Sequence, residues 1–391
     1  MGKGRADIAI INRSFWPIYP VIGEALLRFA EGAADQHRVC VIMQDHADIR
    51  SQLSEHQRGK GVEFFPGKAW STSGSSILAR ILDAVFFMLW VAFCLLKTRP
   101  REVYVSTDPP VLVPIIVMLY ARLFGASYTY HLQDIHPEAT NVVIPVNRLL
   151  FRFLRCMDSA VMRRAGQLLT LTEEMKTEIL SRSRTRAPIH LLSNPAVSFD
   201  GVQEREEKIP GFSFCGNAGR LQRIPLVVEA IDAYLKDGGQ LSFAFAGGGV
   251  FSADIEQLAA RFPERVTYHG QVSASAAAQL NVDYQWALLP IEDEVTRFAF
   301  PSKTSSYVFS GALILAVCGK ATSVAQWVAA NRLGCVVEPE VSALADFFRL
   351  VERGEVDQAG FDLQREDLKA ALGFDVFVAH LNRLVLGRVT S

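Results

Sequence analysis

Residues 212–220 read Phe212-Ser213-Phe214-Cys215-Gly216-Asn217-Ala218-Gly219-Arg220, and a helical pattern follows at 226–235. An apolar β run, a glycine-rich turn and a helix, in that order, open a βαβ unit. Glycines let a backbone approach a ligand closely, and loop amides at a helix start attract phosphate. Arg220 can pair with such an anion through two parallel hydrogen bonds. The same residues also suit an ordinary glycine-rich turn, so the stretch speaks first to the fold and only then to a ligand.

The pattern continues on both sides. Downstream, strands expected at 241–246, 266–269, 286–290 and 313–317 alternate with helices at 274–280 and 302–311. Upstream, strands expected at 6–11, 39–43, 62–65, 102–106, 127–132, 167–172 and 189–192 alternate with helices at 23–34, 77–96, 146–165 and 173–183, and with one ending at Phe124. Strands separated by helices imply parallel sheets. The polar stretch 197–210 divides the chain. The expected organisation is a Rossmann-like domain over 1–196, a linker over 197–210 and a second Rossmann-like domain over 211–372. A final amphipathic helix within 373–391 would be free to pack back on the first domain. The fold class is α/β, two Rossmann-like domains facing a central cleft.

With 391 residues, half of them hydrophobic, the chain can bury two cores. Its 40 Lys and Arg against 41 Asp and Glu give no overall electrostatic case for nucleic acid. Six scattered cysteines lack the spacing of a zinc or redox site and suit a reducing, cytoplasmic setting. Lys3 and Arg5 begin a signal-like start, but Asp7, Asn12 and Arg13 interrupt any apolar core. The apolar stretch 77–96 holds Arg80 and Asp83, which leaves a charge-free run of 85–96. That run is too short to cross a bilayer, so a buried or interfacial helix is expected.

Other groups fall at expected strand ends. Gly247-Gly248-Gly249 closes one strand, and Phe300-Pro301-Ser302-Lys303 opens the helix ending at Gly311, preceded by Glu292, Asp293 and Glu294. Ser302 fits an N-cap. Lys303 in a first helical turn opposes the helix dipole, which hints at an anionic partner, a solvated lysine being the plainer reading. In the first half, Tyr130-His131-Leu132 runs into Gln133-Asp134-Ile135-His136-Pro137-Glu138. Two imidazoles and two carboxylates at a strand's end suit acid–base work or hydroxyl binding, although a histidine after a strand is often purely structural. No Asp-x-Asp element or zinc spacing appears, so no metal site is expected. Arg148, Arg152 and Arg155 stand four and three apart among leucines and phenylalanines. Such a helix suits an anionic bilayer or an ordinary surface.

Together these residues resemble the family-4 retaining glycosyltransferases of GT-B fold, closest to the bacterial subgroup that assembles O-antigen, capsule and exopolysaccharide. The marks are Gln133 to Glu138 (similar to that subgroup's Arg-Asp-Leu-Trp-Pro-Glu), Cys215 to Arg220, the Gly247–Gly249 turn, and Pro301-Ser302-Lys303 with Gly311. The resemblance implies donor contacts from Asn217, Gly219, Arg220, Gln222, Gly248, Ser302, Lys303 and Ser306, and catalytic roles for His131, Asp134 and Glu138. It implies a UDP- or GDP-linked sugar donor, a polyprenyl-diphosphate-linked saccharide acceptor, no cofactor and no metal. The enzyme would sit on the inner face of the plasma membrane, peripherally attached. Two departures concern the donor site: many members carry paired glutamates where this chain has Phe298 and Ser306, and a lysine where it has Gln222. A nucleotide-sugar epimerase of the same fold, or a silent subunit that binds a partner enzyme, are the alternative readings.

Overall fold

The computed structural model describes residues 5–71, 76–362 and 364–388. In chain order the first elements are β1 (Ile8–Ile11), α1 (Ile22–Ala34), β2 (Val39–Asp45), α2 (Ile49–Glu55), β3 (Glu63–Lys68), α3 (Ile77–Thr98), β4 (Glu102–Ser106), α4 (Leu112–Phe124), β5 (Ser127–Leu132), α5 (Glu138–Val143), α6 (Arg148–Arg164), β6 (Gln167–Thr170), α7 (Glu173–Ser183) and β7 (Ile189–Leu191). There follow β8 (Ile209–Cys215), α8 (Ile224–Lys236), β9 (Ser242–Ala246), α9 (Ser252–Arg261), β10 (Val266–Tyr268), α10 (Ala274–Asp283), β11 (Tyr284–Pro290), α11 (Lys303–Ser310), β12 (Leu313–Val317), α12 (Ser323–Ala330), β13 (Gly334–Val337), α13 (Val341–Glu352), α14 (Glu366–Ala371) and α15 (Phe374–Val385).

The chain forms two compact units, 1–195 with 373–391, and 196–372. The first holds a seven-stranded sheet in the order β3-β2-β1-β4-β5-β6-β7, the second a six-stranded sheet in the order β10-β9-β8-β11-β12-β13. The central strands are apolar on both faces because helices cover both sides, as in β1, where all four residues are buried. Strand order reverses between β1 and β4 in one sheet and between β8 and β11 in the other. At such switch points the loops leaving neighbouring strands diverge and open a crevice at the carboxyl ends. Both sheets therefore place their ligand edge where the loops after β1, β4, β8 and β11 emerge.

In the second unit Phe212, Phe243 and Phe348 pack ring against ring, Phe212 and Phe348 with centroids 4.8 Å apart. In the first unit Ile8, Ile10, Val39 and Val41 form the sheet side of a core whose helical side is α1. Helix α15 belongs to that core: Phe377, Leu381 and Val385 are buried with Leu26 and Phe29 of α1, and Leu384 O accepts from Gln167 Nε2 at 2.7 Å.

Two segments take on definite surroundings. The stretch 197–210, expected as a linker, is bonded to the second unit. Val197 N bonds Ser306 Oγ at 3.3 Å, Gln203 and Gln279 exchange two bonds at 2.9 Å, and Lys208 Nζ reaches Val282 O at 2.5 Å. Those bonds fix the segment along the second unit, and β8 begins at Ile209. Helix α3, expected to be buried or interfacial, is buried on one face only. Phe87, Val91, Cys94 and Leu95 face inward, while every third or fourth residue between them is exposed.

Candidate functional site

In the second unit three loops meet at the carboxyl edge of the sheet. Ala218 N donates to Gly248 O at 2.8 Å, Gly216 N to Ala246 O at 2.9 Å and Gly247 N to Gly270 O at 2.7 Å. Glycine is required for this knitting. At Gly247 φ is +118°, and a Cβ there would stand 2.0 Å from Gly216 O. The side chains of Asn217 and Gln222 fold over Gly219, which has no side chain to displace them.

Lys303 rises from the first turn of α11 beneath this loop. Its Nζ lies 3.9 Å from the centre of the Phe214 ring, and a Cβ placed on Gly216 would be 2.9 Å away from it. The Nζ is buried and has no hydrogen-bond partner among the described residues. Burial pulls its pKa down to about 8. An ammonium facing an aromatic ring, the Cys215 thiol and a backbone turn is a charge whose solvation is incomplete. Gln222 Oε1 is likewise buried without a partner among the described residues. Ser302 occupies the N-cap position of α11, but its backbone is helical and its side chain makes no capping bond, so the expected cap is absent. Thr304 Oγ1 instead bonds Pro301 O at 2.7 Å. Ser306 is buried and directs its Oγ to Val197 N. Arg220 is exposed and forms no ion pair among the described residues.

Arg223, three residues on, is a residue the sequence reading missed. In the left-handed region at φ +44°, it donates to Ile291 O at 2.8 Å and pairs with Glu292 and Asp293 at 3.0 Å each. It clamps the loop after β11 to the start of α8. Asp293 also accepts from Gly319 N at 3.0 Å. The acidic run 292–294 is thus largely a structural brace.

In the first unit the three candidate catalytic groups separate. His131 is fully buried at the end of β5. Its Nδ1 faces the Tyr104 hydroxyl at 2.5 Å and its Nε2 faces Gln133 Nε2 at 2.9 Å. Burial drives its pKa down to about 3, so the imidazole is neutral and both nitrogens are occupied. Such a residue holds the strand end in place, with Tyr104 and Gln133 as its contacts. Glu138 has neighbours of its own. It is buried, and its carboxylate sits between Arg182 at 2.5 Å and Arg155 at 2.9 Å. Arg182 in turn binds Asp158, and Tyr130 donates to Asp158 at 2.7 Å. This network joins α5, α6 and α7 through Glu138, Asp158 and Arg182.

Asp134 is different. Its side chain keeps 48% of its surface, with His136 Nε2 at 3.9 Å. Surrounding protein, and then the Asp108 carboxylate, push its carboxyl up to about 6. Asp108, in the loop after β4, accepts from Ser14 N of the loop after β1 at 2.9 Å. The loops after β4 and β5 therefore present two carboxylates at the carboxyl edge of this sheet, of which the sequence singles out one. In the sequence Asp108 passes for turn punctuation in Thr107-Asp108-Pro109-Pro110.

No family model matches the chain. WbjE of Pseudomonas aeruginosa, described as a probable glycosyltransferase, is 22% identical over 271 residues, 66% of this chain and 66% of that relative, just under two thirds of its length. Among solved structures, sucrose-phosphate synthase from Thermosynechococcus elongatus aligns with a TM-score of 0.73 at 14% identity, over 99% of this chain and 100% of that one. Anabaena Alr3699/HepE in complex with UDP-glucose aligns at 0.66 with 14% identity, over 99% and 100%. Agreement over whole chains at such low identity is agreement of architecture. The chain has the GT-B fold.

Within this GT-B chain the positions of the paired glutamates are filled differently. Phe298 lies half-buried under the Arg297 guanidinium, whose carbon is 5.6 Å from the ring centre, and Ser306 holds the segment entering the unit. Neither presents a carboxylate. On α6, Arg148, Arg152 and Arg155 are all exposed, but Arg155 also pairs with Glu138. The three arginines are therefore not equivalent.

Proposed function

We propose that the protein is a retaining glycosyltransferase that moves a hexose from a UDP- or GDP-linked sugar to a polyprenyl-diphosphate-linked saccharide. The observation that carries this reading is the buried, unpartnered Lys303 ammonium beneath the Gly216–Gly219 turn. A diphosphate laid on that turn meets loop amides, the Lys303 charge and the free Arg220 guanidinium together. Charge developing on a leaving diphosphate is stabilised by groups already in position, and in many enzymes such preorganisation supplies most of the rate acceleration. That arrangement does not call for a metal. Asp134, ionising near neutrality, is placed to accept a proton from an acceptor hydroxyl. UDP-glucose in complex with HepE supports a nucleotide-sugar donor, and WbjE's description supports glycosyl transfer. A lipid-linked acceptor suits a peripheral enzyme on the inner face of the plasma membrane.

The test is a thermal-shift panel of UDP, GDP, ADP and CDP, followed by turnover with a lipid-linked acceptor in EDTA. One nucleotide diphosphate should raise stability by mass action, and Arg220→Ala should weaken its binding by about 1.5–3 kcal/mol. Free diphosphate should accumulate only when acceptor is present. Inversion of the donor sugar without net release would make the protein an epimerase. Activity lost in EDTA and restored by Mg²⁺ would overturn the metal-free mechanism.

A further inference from the structure

Helix α3 presents an apolar stripe to the outside of the first unit. Leu78, Leu82, Val85, Leu89, Phe93 and Leu96 are exposed, five of them by more than half. Their spacing of three and four residues puts them on one face of a helix about 33 Å long. Trp70, 58% exposed, stacks on Phe86 of the same helix with ring centres 4.5 Å apart. An amphipathic indole beside an apolar stripe is typical of a membrane interface. A soluble surface does not ordinarily leave a continuous apolar strip of this length uncovered.

The exposed charges on the helices beside the stripe have one sign. Helices α3, α4 and α6, which are neighbours in the first unit, carry two, one and five Lys and Arg residues, all exposed. Their only carboxylates, Asp83 and Asp158, are fully buried. At the carboxyl end of α3 the stripe runs into an open recess of about 570 Å³, lined by Arg5, Lys97 and Arg99 together with Leu96, Tyr120 and Phe124. Three cations beside aromatic and aliphatic walls match the head group and first methylenes of an anionic lipid.

Length and composition alone would let α3 cross a bilayer. Its inner face forbids that. Asp83 accepts from Arg13 at 2.9 Å, Ser71 Oγ at 2.6 Å, Gln44 Nε2 at 2.7 Å and Trp70 N at 3.2 Å. Trp90 Nε1 donates to Phe65 O of β3 at 3.1 Å. A spanning helix would have to strip these bonds and expose the sheet.

We infer that α3 lies in the plane of an anionic bilayer, its stripe immersed among the acyl chains and an anionic lipid head group held in the Arg5–Lys97–Arg99 recess. This deepens the reading of a lipid-linked acceptor, and it moves the main attachment from the arginines of α6 to α3. Salt alone should therefore weaken binding without abolishing it.

The test is co-sedimentation of the full chain with phosphatidylglycerol-containing vesicles and with pure phosphatidylcholine, without nucleotide or acceptor, so that failure of the enzymatic reading does not affect it. Wild type should bind the anionic vesicles and keep part of that binding in about 1 M salt. Leu82→Asp with Leu89→Asp, both at exposed positions, should lower binding at least about tenfold in low and high salt. Lys97→Glu with Arg99→Glu should lower it at least about tenfold on anionic vesicles only. Circular dichroism and nucleotide-diphosphate affinity should match wild type in both variants. The inference fails if the leucine variant sediments like wild type. It also fails if wild type is a dimer that this variant dissociates, which would assign the stripe to a second copy. Retention through both high salt and alkaline carbonate would mean that α3 spans, and would overturn it too.

Discussion

The ammonium of Lys303 stands 3.9 Å from the centre of the Phe214 ring, buried and without a hydrogen-bond partner among the described residues. A folded pKa lowered from 10.5 to about 8 means that the charge is destabilising in the ligand-free protein. The cost is fully present below pH 8 and fades as pH rises towards 10.5. Lys303→Met should therefore stabilise the free protein at pH 7 by about 1–3 kcal/mol, less what the ring returns. The same variant should weaken diphosphate binding by about 1.5–3 kcal/mol. Thermal melts with and without nucleotide diphosphate check both signs; a variant less stable than wild type and unchanged in binding would contradict this role.

The same lysine couples binding to protons. Near pH 8 it is partly neutral in the free protein, and an adjacent diphosphate favours its charged form. Binding at about pH 8–8.5 should take up a fraction of a proton, visible as an enthalpy that changes with the ionisation enthalpy of the buffer. At about pH 6.5, where Lys303 is already charged, its contribution should vanish. Lys303→Met should remove that uptake at about pH 8–8.5.

Gly247 tests the loop itself. An alanine there meets Gly216 O at 2.0 Å in a backbone conformation that L side chains rarely adopt. Relieving the clash must part the loop after β8 from the loop after β9. Gly247→Ala should destabilise the second unit by about 2 kcal/mol or more and lose nucleotide-diphosphate binding. Gly238→Ala, where φ is also positive but nothing lies within 4 Å of the added Cβ, is the control and should retain binding.

The strands were legible from short runs of β-branched, aromatic and aliphatic residues between turn signals: β4, β5 and β12 fall at their expected bounds. Helix α2, α9 and the run from α12 to α14 were not. They are short, and β13 is a four-residue edge strand of partly buried residues, too brief for its period to show. At the site, glycine spacing located the loops. What escaped the sequence were partners far along the chain. Glu138 looked functional among its neighbours, yet Arg182, 44 positions on, claims it. Lys303 was visible as a cation at a helix start, but its isolation could be seen only once Phe214 and Gly216 were folded over it.

Asp134 offers a test that separates catalysis from binding. Its carboxyl is raised from 3.8 to about 6, by burial first and by Asp108 second. The folded protein therefore binds more protons than the unfolded chain between those values, and this group's contribution to stability falls as pH rises from about 4 to about 6. Asp134→Asn, which cannot ionise, should melt at the same temperature as wild type near about pH 3.5 and above it at about pH 7. With about half the side chain exposed, solvent screens the effect, and the gain should be on the order of 1 °C. Turnover should respond in the opposite sense. Wild-type kcat/KM should decline below about pH 6 as Asp134 is protonated, and Asp134→Asn should lose about 100-fold or more at pH 7. Its affinity for nucleotide diphosphate should be unchanged, because the residues proposed to hold the diphosphate all belong to the other unit. His131→Ala, by contrast, removes a buried partner of Tyr104 and Gln133 and should cost stability at every pH. If Asp134→Asn retained full turnover, or bound the diphosphate tenfold worse while turning over normally, the carboxylate would have no part in the chemistry.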